Sequence, residues 1–205
     1  MESEEPWGLL LAGGPGSRLG GGKPFRKLAG RRLIDLALAA LGQVCPRIII
    51  STNDVLACAD LPHAILADRW PGRGPLAALA TAFLDSPAPG FVVMAVDLPL
   101  VRVELLRALA RGHGRCKALA PMGSRWPEPL LAYYSRSCLP AVMRLLQRGE
   151  GRVRALLGAT GATIMPRAEV QALDPEGLSF LNVNYPEDLE RASLEAGLRG
   201  LFDTA

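Results

Sequence analysis

Residues 9–23 read LLLAGGPGSRLGGGK. The apolar run from Gly8 to Leu11 ends abruptly at Ala12, Gly13 and Gly14. Pro15, Gly16 and Ser17 follow, then Arg18, three glycines at positions 20–22, and Lys23. A buried strand that opens into a glycine-rich loop with two cations is a phosphate-binding device. Without Cβ atoms the backbone can approach an anion and turn its N–H groups toward it. Arg18 and Lys23 would neutralise the charge that those amides cradle.

Two familiar loops are excluded. The Walker A pattern needs Gly, four residues, then Gly-Lys-Ser/Thr. Here Pro24 follows Lys23, and Ser17 stands where the first glycine belongs. The Rossmann G-x-G-x-x-G fails because Leu19 occupies its last position. The loop is phosphate-directed but of a third type.

Downstream, apolar runs and helical spacings alternate. Strands are expected at 8–11, 47–51, 64–67 and 91–96, with helices at 32–41, 76–84 and 104–111 between or after them. Beyond these lie expected strands at 117–120, 129–134 and 162–165, and helices at 140–147, 152–157 and 186–198. Strand–helix alternation implies a mostly parallel sheet wound by right-handed crossovers, a Rossmann-like three-layer α/β sandwich. The whole chain, 1–205, is expected to form one domain, with a first half of about 8–111 that carries the glycine loop and a second half of about 112–199.

Ligands of such sheets bind beyond the carboxyl ends of the strands. That rule selects the residues just after each strand. The first strand leads to the glycine loop, the second to Asn53 and Asp54, the third to Asp68, and 91–96 to Asp97 within AVDLP. Asn53 and Asp54 also suit turns. Asp97 is poorly placed as a turn former, because it ends a wholly apolar strand and precedes Leu98-Pro99. An unpaired carboxylate there would be costly beside low-dielectric protein, so a bound cation is expected to compensate it.

Composition narrows the ligand. Of the 205 residues 49% are apolar, enough for a sizeable core. Net charge is +3, no dense basic run occurs, and aromatics make up 5%, so nucleic acid is not an expected partner. Cys45, Cys58, Cys116 and Cys138 form no C-x-x-C pair and read as buried or neutral thiols, kept reduced. The start, MESEEPWG, lacks the order of a signal peptide, and no apolar run approaches the roughly 18 residues of a membrane span. A cytoplasmic location without membrane contact is expected.

The chemistry that fits is nucleotidyl transfer. A triphosphate on the glycine loop must be attacked at its α-phosphorus by a second phosphate, so the obstacle is charge repulsion. Mg²⁺ held by a carboxylate and phosphate oxygens is the natural neutraliser, with Asp97 as its ligand. Arg18 and Lys23 would stabilise the triphosphate and the departing pyrophosphate. An already ionised phosphate nucleophile needs no general base.

LAGGPGSRLGGGK resembles the signature loop of the molybdenum cofactor guanylyltransferase (MobA-like) family of the nucleotidyltransferase superfamily. Gly22 stands where that family usually has Asp, while Lys23 is kept. DRWPGRGPLAAL at 68–79, PEPLLAYYS at 127–135 and LNVNYPEDL at 181–189 resemble further motifs of the same family, so the likeness runs from Leu9 to about Arg191. The resemblance implies a nucleotide site of Leu11, Ala12, Gly13, Gly14, Lys23, Asn53, Asp68 and Asp97. It places Lys23 on phosphate and Asp97 on phosphates and metal. It implies GTP as donor and molybdopterin as acceptor, with possible transient contact to other proteins of molybdenum cofactor biosynthesis.

Asn182 and Asn184 are candidates for the acceptor. Side chains at i and i+2 of an extended segment point the same way, and two amides could hold a pterin. Equally, Asn184 could simply cap the helix that begins at Pro186. Trp70 and Trp126 are expected to pack rather than stack on ligands. The expected activity is Mg²⁺-dependent transfer of GMP from GTP to the phosphate of molybdopterin. The alternatives are a transferase using CTP or another phosphorylated acceptor, or a non-catalytic nucleotide-binding regulator.

Overall fold

The computed structural model describes residues 5–13 and 22–198. In chain order, β1 (Trp7–Leu11) precedes a short 3-10 turn (Lys23–Phe25) and the two-stranded ribbon of β2 (Lys27–Leu28) and β3 (Arg31–Arg32). Then come α1 (Leu33–Gly42), β4 (Ile48–Ser51), β5 (Ala64–Leu66), α2 (Pro75–Asp85), β6 (Gly90–Ala95) and α3 (Val103–Ala110). The second half holds β7 (Ala118–Pro121), β8 (Leu131–Ser135), α4 (Leu139–Gln147), α5 (Arg154–Thr160), β9 (Thr163–Met165), α6 (Arg167–Leu173) and α7 (Pro186–Leu198).

Seven strands form one sheet in the order β5-β4-β1-β6-β8-β7-β9. Only β8 runs against its neighbours, pairing antiparallel with β6 and β7. The chain moves from β1 to β4 through α1, then returns from β5 across β4 and β1 to β6 through α2. Both crossovers can be right-handed only if the two helices lie on opposite faces of the sheet. Strand residues alternate to match. Leu10, Ile50, Val92 and Met94 pack on the side of α1 and α3; Leu9, Ile49, Phe91 and Val93 pack on the side of α2 and α4. The result is the expected three-layer α/β arrangement. β6 is buried at every position because helices cover both faces.

The switch in chain direction falls between β1 and β6. Loops leaving these neighbours part to opposite sides and open a crevice at their carboxyl ends. Hydrogen bonds continue the strands up to that rim. Val96 N–H donates to Leu11 O at 3.1 Å and Ala12 N–H to Ser51 O at 2.9 Å. The glycine loop and Asp97 therefore leave adjacent, rigidly aligned strand ends.

Some features differ from expectation. The β2–β3 ribbon and α6 carry too little pattern to be read, since each ribbon strand has two residues and α6 buries only Val170. Trp70 packs against the α2-side core as expected. Trp126 does not pack into the core: in the loop between β7 and β8 it is 62% exposed. The cysteines are free, and burial pushes the Cys45 thiol up to about 12 and that of Cys138 up to about 11. Such thiols stay protonated and unreactive near neutrality. No helix of the described residues is long and apolar enough to cross a membrane.

Candidate active site

A cleft of about 700 Å³ lies at the carboxyl ends of β1, β4, β5 and β6, within the size range of small-molecule sites. Leu11, Gly13, Lys23, Asn53, Asp68 and Asp97 all line it, so six of the residues selected from the sequence converge. Ala12 is drawn instead into the core on the α1 side and does not line the cleft. Gly14 and Arg18 lie outside the described residues.

Lys23 is the hub. Its Nζ donates to Asp97 Oδ2 at 2.9 Å and to Asn184 Oδ1 at 2.8 Å. The lysine and aspartate side chains are only 16% and 21% exposed, so this ion pair is largely shielded from water. The expectation of an otherwise unpaired Asp97 is thereby corrected: the Lys23 ammonium group neutralises it. Gly22 sets the approach of Lys23 by adopting φ 61°, ψ 25°, in the left-handed region. Glycine enters that region without strain, and Asp is among the residues that tolerate it better than most. The change from Asp to Gly in this loop is therefore compatible with the same backbone path.

Asp97 also acts through its main chain, since its carbonyl accepts the Val183 N–H at 2.8 Å. That bond holds the 182–184 segment over the end of β6. Asn184 Nδ2 donates to Asn182 Oδ1 at 3.0 Å, so the two amides face one another. Asn184 does not cap the last helix with its side chain. Asp188, in the first turn of α7, does the capping work in reverse: its Oδ2 accepts the N–H groups of Asn184 and Tyr185, each at 2.8 Å. Those two amides, Asn184 first, hold the Asp188 carboxyl below its usual range.

Asp68 sits in a different setting. Ser51 Oγ donates to its Oδ1 at 3.2 Å, and Asn53 Oδ1 accepts the Asp68 N–H at 3.1 Å. No cation among the described residues pairs with it. Burial raises its pKa, with Ser51 and Asn53 opposing the rise. Asn53 thus orients Asp68 as well as lining the cleft. Asp54 makes local turn bonds, including one to the Ala57 N–H at 3.3 Å.

Glu128 is a group that sequence reasoning missed. It lies in PEPLL, and its Oε1 accepts the Leu130 N–H at 3.0 Å. Leu130 O in turn accepts the Ala95 N–H at 2.9 Å, two residues before Asp97. Burial raises the Glu128 pKa, and the charge of Asp97 adds to the rise. Two prolines flanking one glutamate gave the only sequence signal. Among the described residues no group of three or more His, Cys, Asp or Glu could hold a metal ion by itself. Asp97 supplies a single carboxylate of the kind that could ligate a hard divalent cation if the Lys23 ammonium, which holds its Oδ2 at 2.9 Å, moved aside and phosphate oxygens and water made up the rest of the shell.

The α2 side of the cleft is closed by backbone contact. Leu76 N–H, in the first turn of α2, donates to Gly151 O at 3.1 Å. A Cβ on Gly74, which has φ +75°, would meet that same oxygen at 2.8 Å. Only glycine fits there, and the loop before α5 is held against the cleft wall.

A mostly parallel α/β sheet with Lys23 and the strand-end Asp97 at its switch point is an arrangement suited to a nucleotide-binding enzyme of the nucleotidyltransferase class. Residues 8–164 match the model of the MobA-like NTP transferase domain. The chain belongs to the MobA-like NTP transferase family. It is 34% identical to a probable molybdenum cofactor guanylyltransferase of Chloroflexus aggregans, over 89% of this chain and 91% of that one. A molybdenum cofactor guanylyltransferase of Desulfosudis oleivorans is 29% identical, over 93% of this chain and 96% of that one. Among solved structures, molybdopterin-guanine dinucleotide biosynthesis protein A of Archaeoglobus fulgidus superposes with a TM-score of 0.80 at 28% identity. It covers 93% of this chain and 98% of that one.

Proposed function

We propose that this protein is a molybdenum cofactor guanylyltransferase that transfers GMP from GTP to the phosphate of a molybdopterin acceptor and releases pyrophosphate. Full-length similarity to relatives of that name supports the reading. The observation that carries it is Lys23 bridging Asp97 and Asn184 at the switch point of the sheet. One cation there touches the proposed metal ligand and the proposed acceptor side together.

The nucleoside lies toward β4 and β5, where Asp68 offers acceptors to the N1–H and N2–H₂ of guanine, a donor pair that adenine lacks. The triphosphate lies over Gly13, with Lys23 turning from Asp97 to its phosphates. Asp97 would hold Mg²⁺, which would supply charge neutralisation between triphosphate and acceptor. An acceptor phosphate oxygen forms a bond to the α-phosphorus of GTP as the bond to the β-phosphate oxygen breaks, and the electron pair leaves with pyrophosphate. Lys23 stabilises that leaving charge. Apolar strand ends at Leu11, Ala95 and Val96 limit water at the reacting centre.

The test is pyrophosphate release with each of the four NTPs, with and without molybdopterin. Release is expected with GTP, Mg²⁺ and acceptor together. Equal release with CTP, or none with any nucleotide, contradicts the reading.

A further inference from the structure

Between β7 and β8 the chain presents an indole to solvent. Trp126 is 62% exposed, and the Arg154 guanidinium carbon lies 4.3 Å from its ring centroid. Large aromatic rings are mostly buried, so an open one covered on one face by a guanidinium invites explanation. Among the described residues no carboxylate forms an ion pair with Arg154.

The ring rests on a braced turn. Gly123 N–H donates to Trp126 O at 3.0 Å, and Met122 bridges to Pro127. Arg167 Nη2 donates to the carbonyls of Gly123 and Ser124. A Cβ on Gly123 would come within 2.9 Å of Trp126 O, so the turn closes tightly only with glycine there.

Its position relative to the cleft follows from topology. β7 runs parallel to β6, because both pair antiparallel with β8, so its carboxyl end lies on the same rim as Asp97. α5 feeds β9, which is parallel to β7, so the first turn of α5, with Arg154, lies at that rim too. Three residues earlier, Gly151 touches the backbone of Gly74, which lines the cleft. Along the sheet order, the rim then carries three zones. Asn53 and Asp68 end β4 and β5, Lys23 and Asp97 lie at β1 and β6, and Trp126 with Arg154 lies beyond β8 at β7.

We propose that Trp126 and Arg154 form the stacking site for the planar ring system of the acceptor. This rests on the functional reading above and assigns its acceptor ring. An acceptor phosphate attacking at Asp97 and Lys23 cannot place its ring over β4 and β5, which the nucleoside occupies. The other direction leads past Asn182 and Asn184 to β7, since Phe180 lies beside Gly123 in the turn that carries Trp126. There the indole offers a π-face for a flat heterocycle, and Arg154 keeps the ring plane fixed while adding a cation for an anionic substituent.

The test separates the two substrates kinetically. Trp126→Ala is expected to raise the KM for molybdopterin about tenfold, as loss of one stacking platform does, with the KM for GTP and kcat unchanged. Trp126→Phe should recover most of the loss, and thermal melting should match wild type for both. Titrating molybdopterin alone should quench tryptophan emission in wild type and not in Trp126→Phe. An unchanged acceptor KM in Trp126→Ala, or an equal rise in the KM for GTP, overturns the assignment. If wild type releases no pyrophosphate with GTP and molybdopterin, the functional reading fails on its own. The quenching experiment then decides the stacking site, and quenching that persists in Trp126→Phe overturns it.

Discussion

The ends of β5 and β6 each carry an aspartate into the same cleft, and their surroundings treat the two charges oppositely. Asp97 faces an ammonium group at 2.9 Å, while Asp68 has neutral partners, the Ser51 hydroxyl at 3.2 Å and the Asn53 amide, and a pKa that burial raises. A carboxylate stored against a cation is ready to exchange that cation for another one. A carboxylate surrounded by neutral donors is ready to accept hydrogen bonds from a ligand. On the proposed reading the difference divides the rim into a metal-and-phosphate centre and a base-recognition end, and this division can be broken by substitution.

The largest effect is expected at the centre. Asp97→Asn keeps the shape but replaces a charged oxygen with a weak neutral ligand for a hard cation. It should stay folded, with Tm lowered by loss of the Lys23 pair, and retain GTP binding, yet lose on the order of 10²-fold or more in turnover. Excess Mg²⁺ should restore only part of the loss. Normal turnover of this variant at limiting Mg²⁺ would erase the distinction between the two aspartates.

Lys23→Ala follows, with a turnover loss on the order of 10²-fold by analogy with removal of one preorganised donor. Steady-state kinetics should show kcat falling more than the affinity for GTP, since the charge is needed most as pyrophosphate departs. Turnover near wild type would reduce Lys23 to a solvated loop residue.

Asp68→Ala should act on recognition instead. Calorimetric titration should give a GTP dissociation constant raised about tenfold, the scale of one hydrogen bond to a charged group, and a narrower preference over ATP. An unchanged preference would assign base reading to backbone groups.

The smallest effect concerns stability alone. Asp188→Ala removes the acceptor for two N–H groups at the start of α7 and should cost about 1 kcal/mol, roughly 2–4 °C in Tm for a chain of this size. The folded Asp188 carboxyl lies below its ordinary value of about 3.9. Its contribution is therefore fully present above that value and lost as pH falls through the lowered one. The Tm difference between wild type and variant should vanish under acid conditions, as thermal melts across pH would show.

The sheet was legible because its central strands are apolar runs bounded by glycine or turn residues, as at 8–11 and 91–96, and the strand-end rule then pointed to Asn53, Asp68 and Asp97. Contacts across the chain were not legible. Lys23 lies 74 positions from Asp97 and 161 from Asn184, and no local pattern encodes such a meeting. Reading Asn184 as a cap followed from its place before Pro186, but Asp188 takes that work and frees the amide for Lys23. Trp126 was expected to pack because tryptophan usually does; it lies exposed in the β7–β8 loop, a placement that hydropathy does not record.

The central claim is that the Asp97 end of β6 is where GMP changes hands. Incubating GTP labelled at the α-phosphate with molybdopterin and Mg²⁺ tests it most directly, comparing wild type with Asp97→Asn in a single turnover. The account predicts that wild type moves the label to the acceptor and that the variant does so on the order of 10²-fold more slowly. Label reaching the acceptor at the same rate in both proteins, or remaining with GTP in both, would contradict it.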